Sequence, residues 1–247
     1  MFNFFKKNTA SPVQHLPVTV DMHSHILPGI DDGSPDVDTS VLLVKGLYDL
    51  GIRTCIATPH IIGDLYRNTD ETIEPALAKL QKACHAAALP MQIRAAAEYM
   101  LDDYFMELLL SQQPLRTLHK NLLLTELPYT AEPVNLQEMV FHIITGGYQP
   151  VLAHPERYFY MHNHYEGYKK LKDMGFILQV NLLSLTGYYG SPVARAARYI
   201  LAEGLAGLAG TDLHHSRHLS AFQSAANLQL LHKFVKDDTL LNNQLAE

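Results

Sequence analysis

The sequence predicts an α/β fold, a distorted seven-stranded (β/α)7 barrel of the TIM-like kind. Two observations lead there. From Val18 onward, short apolar runs of β type alternate with helical patterns, which means parallel strands joined by right-handed crossovers. Seven of those runs end on polar, mostly metal-competent residues, as expected where chemistry gathers at the carboxyl ends of barrel strands. An open doubly wound sheet would instead concentrate its site at one switch point.

The first run, residues 18–25, ends on His23 and His25; the second, 54–60, ends on His60. The third and fourth, 91–98 and 121–126, end on Glu98 and Glu126. Runs 149–154 and 176–181 end on His154 and Asn181, and the last, 205–214, carries Asp212 and His214. Side chains two apart on a strand share a face, so His23 with His25, and Asp212 with His214, can each aim at one point. Between the runs, Ser34 as N-cap, Pro35 at the first helical position and Gly51 as a stop predict a first helix. Helices follow over 70–88 and 102–110. Asn135 with Glu138 fits a capping box that opens a helix stopping at Gly146 and Gly147. Further helices are predicted over 166–174, 191–203 and about 221–234.

At 247 residues the chain suffices for one substantial core. Residues 1–17 read as a flexible tail and 18–247 as a single domain. A formal charge of −6 argues against nucleic acid as a partner, because phosphate neutralisation needs a basic surface. Cys55 and Cys84 show no paired framework and read as reduced core thiols. The N-terminus has its lysine pair after its apolar residues, the reverse of a signal peptide, and no run is long enough to insert in a membrane. The expectation is a cytoplasmic protein.

A cluster of divalent cations needs imidazoles and carboxylates, one of the latter able to bridge two ions. The chain supplies His23, His25, His60, His154 and His214 with Asp32, Glu98, Glu126 and Asp212, all at strand ends except Asp32, which lies in the loop 29–33. A lone strand-end histidine is more often structural; nine such placements on one rim are not accidental. The remaining histidines take the bland reading. His15, His85, His119, His142 and His232 lie in tail or helix contexts, and His162 and His164 lie in a loop. His215 and His218 neighbour the last ligands and suit supporting roles there.

The segments Asp-Met-His-Ser-His at 21–25, Asp-Asp-Gly at 31–33, Thr-Pro-His at 58–60, Ala-Glu-Tyr at 97–99, Glu-Leu-Pro at 126–128, His-Pro-Glu-Arg at 154–157 and Gly-Thr-Asp-Leu-His at 210–214 resemble the polymerase-and-histidinol-phosphatase (PHP) superfamily. Within it they resemble the manganese-dependent tyrosine phosphatases of bacterial capsule and exopolysaccharide synthesis, the CpsB/CapC family, over about residues 18–220. The resemblance implies a distorted barrel of the PHP type holding three divalent ions, Mn²⁺ or alternatively Fe or Zn. It assigns His23, His25, Glu98 and Asp212 to one ion. Glu98 bridges to a second, held with Glu126 and His154; Asp32, His60 and His214 hold the third. Arg157 and Arg217 match positions that clamp phosphate. The implied partner is a phosphotyrosine protein, such as a bacterial tyrosine kinase of polysaccharide export.

Such a site hydrolyses a phosphate ester with a metal-bridging hydroxide and no protein nucleophile. The thiol route is absent independently: Ile61 follows Cys55 by six residues and Pro90 follows Cys84, so neither thiol has the arginine of a Cys-x5-Arg phosphate loop. No GxxxxGK[ST] loop is present either. Two other activities stay open at this level: a small-molecule phosphoesterase such as histidinol-phosphate phosphatase, and a metal-dependent amidohydrolase. The latter class often has a carboxylated lysine where this chain has Glu126. An inactive metal-binding scaffold is the non-enzymatic alternative. Tyr99, Tyr129, Tyr158, Phe159 and Tyr160 lie near the motifs and are candidates for a pocket wall.

Overall fold

The computed structural model describes residues 14–236 and 239–246. Most of the expected tail, residues 1–13, lies outside them. Its end does not behave as a tail: Leu16 and Pro17 are buried, and the Leu16 N–H donates to Leu50 O at 2.8 Å.

The strands are β1 (Val20–Asp21), β2 (Thr54–Ala57), β3 (His60–Ile62), β4 (Tyr66–Arg67), β5 (Gln92–Ala95), β6 (Glu98–Met100), β7 (Leu122–Glu126), β8 (Gln149–Ala153), β9 (Ile177–Asn181) and β10 (Ala206–Gly210). They form two sheets, ordered β1-β2-β5 and β10-β9-β8-β7-β6-β3-β4, and every pair is parallel except the β3–β4 hairpin. The fold is thus mixed α/β with parallel strands, and the ladder is not one closed sheet. The second and third predicted runs each divide, giving a first half to one sheet and a second half to the other. Pro59, which has no N–H to donate, sits at the first break, between β2 and β3. The line of hydrogen bonds continues across both breaks, Ala96 N–H to Ala57 O at 2.8 Å and Glu98 N–H to Pro59 O at 3.0 Å. Just beyond β1 and β10, a parallel bridge joins Ser24 to Leu213, with His25 N–H donating to Leu213 O and Asp212 N–H to His23 O.

Helices α1 (Val37–Asp49), α2 (Asp70–Ala86), α3 (Asp103–Leu110), α4 (Leu136–Thr145), α5 (Glu166–Asp173) and α6 (Ser191–Ala202) lie where periodicity put them. The caps differ. The carboxylate of Asp36, not Ser34, caps α1 by accepting from Thr39 N–H at 2.8 Å. Ser34 is turned inward because its own N–H is held by His25 O. Asn135 precedes α4 without a side-chain cap bond, so the capping box does not form. The last predicted helix is two, α7 (Ser216–Phe222) and α8 (Ala225–Phe234).

Strand alternation sorts the core into two parts. Leu123, Leu152, Leu178 and Val180 pack toward the helices, whereas Leu124, Val151 and Leu208 join Val20, Ile56 and Leu245 in a separate inner cluster. On β9 the inner positions are taken by Gln179 and Asn181, both fully buried and polar. At the amino-terminal strand ends, a 3-10 turn (Asn242–Ala246) seals the bottom. The buried Asn242 side chain donates to Val20 O at 3.0 Å and Ala209 O at 2.7 Å and accepts from Ala209 N–H at 3.0 Å, tying β1 to β10.

Candidate metal centre

At the opposite, carboxyl ends of the strands, the nine residues selected from sequence converge. Donor atoms within 4.8 Å of one another form four overlapping groups: His25, Asp32, His60 and His214; His23, His154 and Asp212; His23, His25 and Glu98; His60, Glu98 and Glu126. Glu98 is fully buried, and its Oε2 lies 3.2 Å from His23 Nε2, 3.3 Å from His25 Nε2 and 3.2 Å from His60 Nδ1. That oxygen makes no properly directed hydrogen bond, and neither do the buried His60 Nδ1 and Glu126 Oε1. Buried polar atoms are nearly always paired. Carboxylate and imidazole atoms crowded toward one point without directed hydrogen bonds, His60 Nδ1 also 3.0 Å from Glu126 Oε1, are therefore a donor set fitted to cations. Asp32 is the open side of the cluster, its side chain 54% exposed and its Oδ1 3.5 Å from His60 Nε2 and 3.6 Å from His214 Nε2.

The backbone is bent to bring these groups inward. His154 (φ 35°) and Asp212 (φ 51°) both adopt the left-handed region, disfavoured for side chains like these and concentrated at functional sites. Gly210 lets β10 approach the first strand, since a Cβ there would sit 2.6 Å from that of His23.

Supporting bonds fix which atom of each ligand faces the cluster. His25 Nδ1 bonds Asp31 Oδ2 at 2.8 Å and His23 Nδ1 bonds Gln179 Oε1 at 2.8 Å, leaving both Nε2 atoms inward. Asp212 Oδ2 accepts from Asn181 Nδ2 at 2.6 Å and from Arg157 Nη1 at 2.8 Å, leaving Oδ1 for the histidines. Burial opposes charge throughout. For His23 it is outweighed by Glu98 and Asp212, and the imidazole is lifted to about 9. Asp31 resists its own burial through His25 and falls to about 2. His214 is lowered to about 4 by burial and by His25 next to it. Glu98 stays ionised against its burial because His23 and His60 face it.

Above the cluster opens a cleft of about 540 Å³. Arg157 lines it, with its guanidinium carbon 5.0 Å from the Tyr129 ring centre and 4.5 Å from that of Tyr189. Tyr66, which stacks on His60, and Leu65 form another wall. Of the five aromatic residues considered from sequence, only Tyr129 lines the cleft; Tyr99 and Tyr158 are buried supports whose hydroxyls hold Arg116 N–H and Leu127 N–H. Arg217 lies exposed in the first turn of α7 and does not line the cleft. His215 and His218 do line it, and His218 Nδ1 accepts from His214 N–H at 3.3 Å. His162 instead bonds Glu156 O, and His164 is exposed; neither lines the cleft. Sequence reading missed Asp31, Gln179, Tyr66 and Tyr189. Two of these carried a signal: Asp31 adjoins Asp32 in the Asp-Asp-Gly segment, and Gln179 shares a strand face with Asn181.

Frame and site together define a mixed α/β protein with histidine–carboxylate clusters able to hold metal ions at its strand ends. The chain belongs to the CpsB/CapC family of capsular polysaccharide synthesis, which matches residues 19–239. The resemblance read from the motifs is borne out. Among its relatives, the tyrosine-protein phosphatase YwqE of Bacillus subtilis is 27% identical over 196 residues, 79% of this chain and 77% of that protein. The tyrosine-protein phosphatase CpsB of Streptococcus pneumoniae is 27% identical over 204 residues, 79% and 83% of the two chains. A crystal structure from work on YwqE of B. subtilis and CpsB of S. pneumoniae, described as metal-dependent tyrosine phosphatases, superimposes with a TM-score of 0.80 at 26% identity, covering 92% of this chain and 91% of the other. An amidohydrolase from Mycoplasma synoviae shares the fold alone, with a TM-score of 0.51 at 14% identity over 93% of this chain and 85% of that one.

Proposed function

We propose that this chain is a metal-dependent protein-tyrosine phosphatase serving capsular or exopolysaccharide synthesis, with a phosphotyrosine protein such as the tyrosine kinase of polysaccharide export as its substrate. The observation that carries the reading is the set of unpaired ligand atoms around Glu98 beneath a cleft lined by Arg157. Family membership and the relatives' activity support it. Glu98 belongs to two of the four donor groups, which supports a bridging role. His23, His25, Glu98 and Asp212 would hold one ion, Glu98, Glu126 and His154 a second, and Asp32, His60 and His214 a third. Manganese suits the mixture of imidazole and carboxylate, as do iron and zinc. When bound, such ions supply Lewis acidity and a water nucleophile at neutral pH.

The chain's own groups do the rest. Arg157 presents its guanidinium to the phosphoryl oxygens, held flat by Tyr129 and Tyr189 and anchored on Asp212. Arg217 would have to reach the same phosphate from the exposed start of α7. The ring of a phosphotyrosine finds Tyr66, Leu65 and Tyr129 on the walls. The fold is taken as a distorted (β/α)7 barrel over residues 18–247, supported by the Ser24–Leu213 bridge between first and last strands. No helix among the described residues is long and apolar enough to cross a membrane, and both cysteines are free and buried, which suits a reducing cytoplasm.

The test is a substrate panel on purified protein: phosphotyrosine peptide, histidinol phosphate and an amide substrate, with EDTA and then Mn²⁺. Phosphotyrosine hydrolysis abolished by EDTA, restored by Mn²⁺ and unaffected by Cys55→Ser or Cys84→Ser is the expected result. Preference for histidinol phosphate or the amide would replace this reading.

A further inference from the structure

Of the strands that end at the cluster, β9 brings no imidazole or carboxylate to it. It brings two amides, and they form a one-way chain of hydrogen bonds. His23 Nδ1–H donates to Gln179 Oε1 at 2.8 Å, Gln179 Nε2 donates to Asn181 Oδ1 at 3.0 Å, and Asn181 Nδ2 donates to Asp212 Oδ2 at 2.6 Å. All four residues are essentially fully buried. The directions are mutually consistent. Because Asn181 Nδ2 must face a carboxylate, its Oδ1 faces Gln179; because Gln179 Nε2 is taken by that oxygen, its own oxygen faces His23. The orientation of Asn181 is fixed again from behind, where its backbone N–H donates to Glu156 Oε1 at 2.9 Å.

We propose that Gln179 and Asn181 are positioning residues that set the tautomer of His23 and the free oxygen of Asp212, and through Asp212 the placement of Arg157. The proposal rests on the phosphatase reading for its consequence in turnover, but not for its consequence in metal binding. His23 is a ligand through Nε2 only while Nδ1 carries the proton, and Gln179 Oε1 is the acceptor within bonding distance of that proton. Asp212 Oδ2 is shared by Asn181 and Arg157, so one bond on β9 steadies both a ligand and the guanidinium over the cleft. An amide is suited to this place. Four carboxylates already belong to the cluster and Asp31 stands behind His25, so a neutral acceptor orients His23 without a further negative charge. The pairing also accounts for a polar Gln179 on the inner face of a strand whose register neighbours there, Ala153 on β8 and Leu208 on β10, are apolar.

The test is Mn²⁺ titration of the full chain by calorimetry, alongside phosphotyrosine-peptide kinetics. Gln179→Met keeps the side-chain volume and removes the acceptor; Mn²⁺ affinity is expected to fall roughly 10- to 100-fold, the range for groups that orient a ligand. Asn181→Leu is expected to weaken Mn²⁺ and also to raise KM, since Arg157 loses the neighbour that shares its carboxylate oxygen. Wild-type affinity in Gln179→Met overturns the proposal, because the acceptor would then be irrelevant. Failure of the phosphatase reading is seen separately, as wild-type protein that binds Mn²⁺ but leaves phosphotyrosine intact.

Discussion

The two ends of the strands solve opposite problems with the same kinds of atom. At the amino-terminal end, Asn242 meets three backbone groups of β1 and β10 with three hydrogen bonds, and Leu245 fills the inner cluster beneath. At the carboxyl-terminal end, Glu98 Oε2, Glu126 Oε1 and His60 Nδ1 are buried and crowd one another without a directed hydrogen bond, and His154 and Asp212 hold left-handed backbone conformations. Around Asn242 the polar groups are satisfied and stabilise; around Glu98 they lack directed hydrogen bonds, at a cost in stability, so that a cation can complete them. Substitution at the first end should therefore change stability without chemistry, whereas at the second it should change chemistry and, with the charges there, stability as well.

The sharpest break of that division is Glu98→Gln. Loss of the shared oxygen charge is expected to strip metal and lower turnover by more than the roughly 10- to 100-fold typical of a supporting residue, while the fold persists. Metal analysis, circular dichroism and kinetics on one preparation check it; full metal occupancy would end the bridging assignment. Arg157→Lys keeps a charge but loses the paired geometry, so kcat/KM should fall by roughly 10- to 1000-fold with metal content unchanged. Wild-type kinetics there would reduce Arg157 to the partner of Asp212.

At the other end, Asn242→Ala leaves Val20 O, Ala209 O and Ala209 N–H without their partner. A loss of about 3 kcal/mol in urea unfolding is expected, with kcat of the folded enzyme unchanged. An equal drop in kcat would mean the two ends are not independent.

The last effect is in pH, where between about 6.5 and 9 the cluster's His23 should contribute. In metal-free protein, His23 is raised from 6.5 to about 9, burial being outweighed by Glu98 and Asp212. A raised histidine stabilises fully below about 6.5 and loses that contribution as pH climbs toward about 9. Tm in EDTA should therefore decline over that window. With saturating Mn²⁺ the increment in Tm should grow over the same window, because protons no longer compete for the ligands. Parallel curves with and without metal would show that His23 is not a ligand.

Eight of the nine candidate ligands were legible because strand periodicity is local: an apolar run ending on His60 or Glu126 puts that side chain at a rim whatever the strand's neighbours are, whereas Asp32 was legible only from its Asp-Asp-Gly loop. Helix positions were legible for the same reason. Helix caps were less so, since Ser34 and Asp36 both spell a cap and the choice fell to a bond from Ser34 N–H to His25 O in another element. The division of the second run between two sheets at Pro59 also depends on which strand lies alongside.

By itself, then, the sequence determined the α/β alternation, the family and the set of candidate ligands, since each follows from residue order along one strand or one motif. Only the tertiary structure decided which nitrogen of His23 turns inward, since Gln179 lies 156 positions from His23 and the partnership exists only once β10 packs between β9 and the first strand's end. It alone placed Tyr189 over Arg157, left Arg217 on the outside of α7, and made a motifless C-terminal turn the closure of the far end. Those outcomes depend on distances between segments remote in the chain, and hydrogen-bond direction and burial at such contacts are not written in any local pattern.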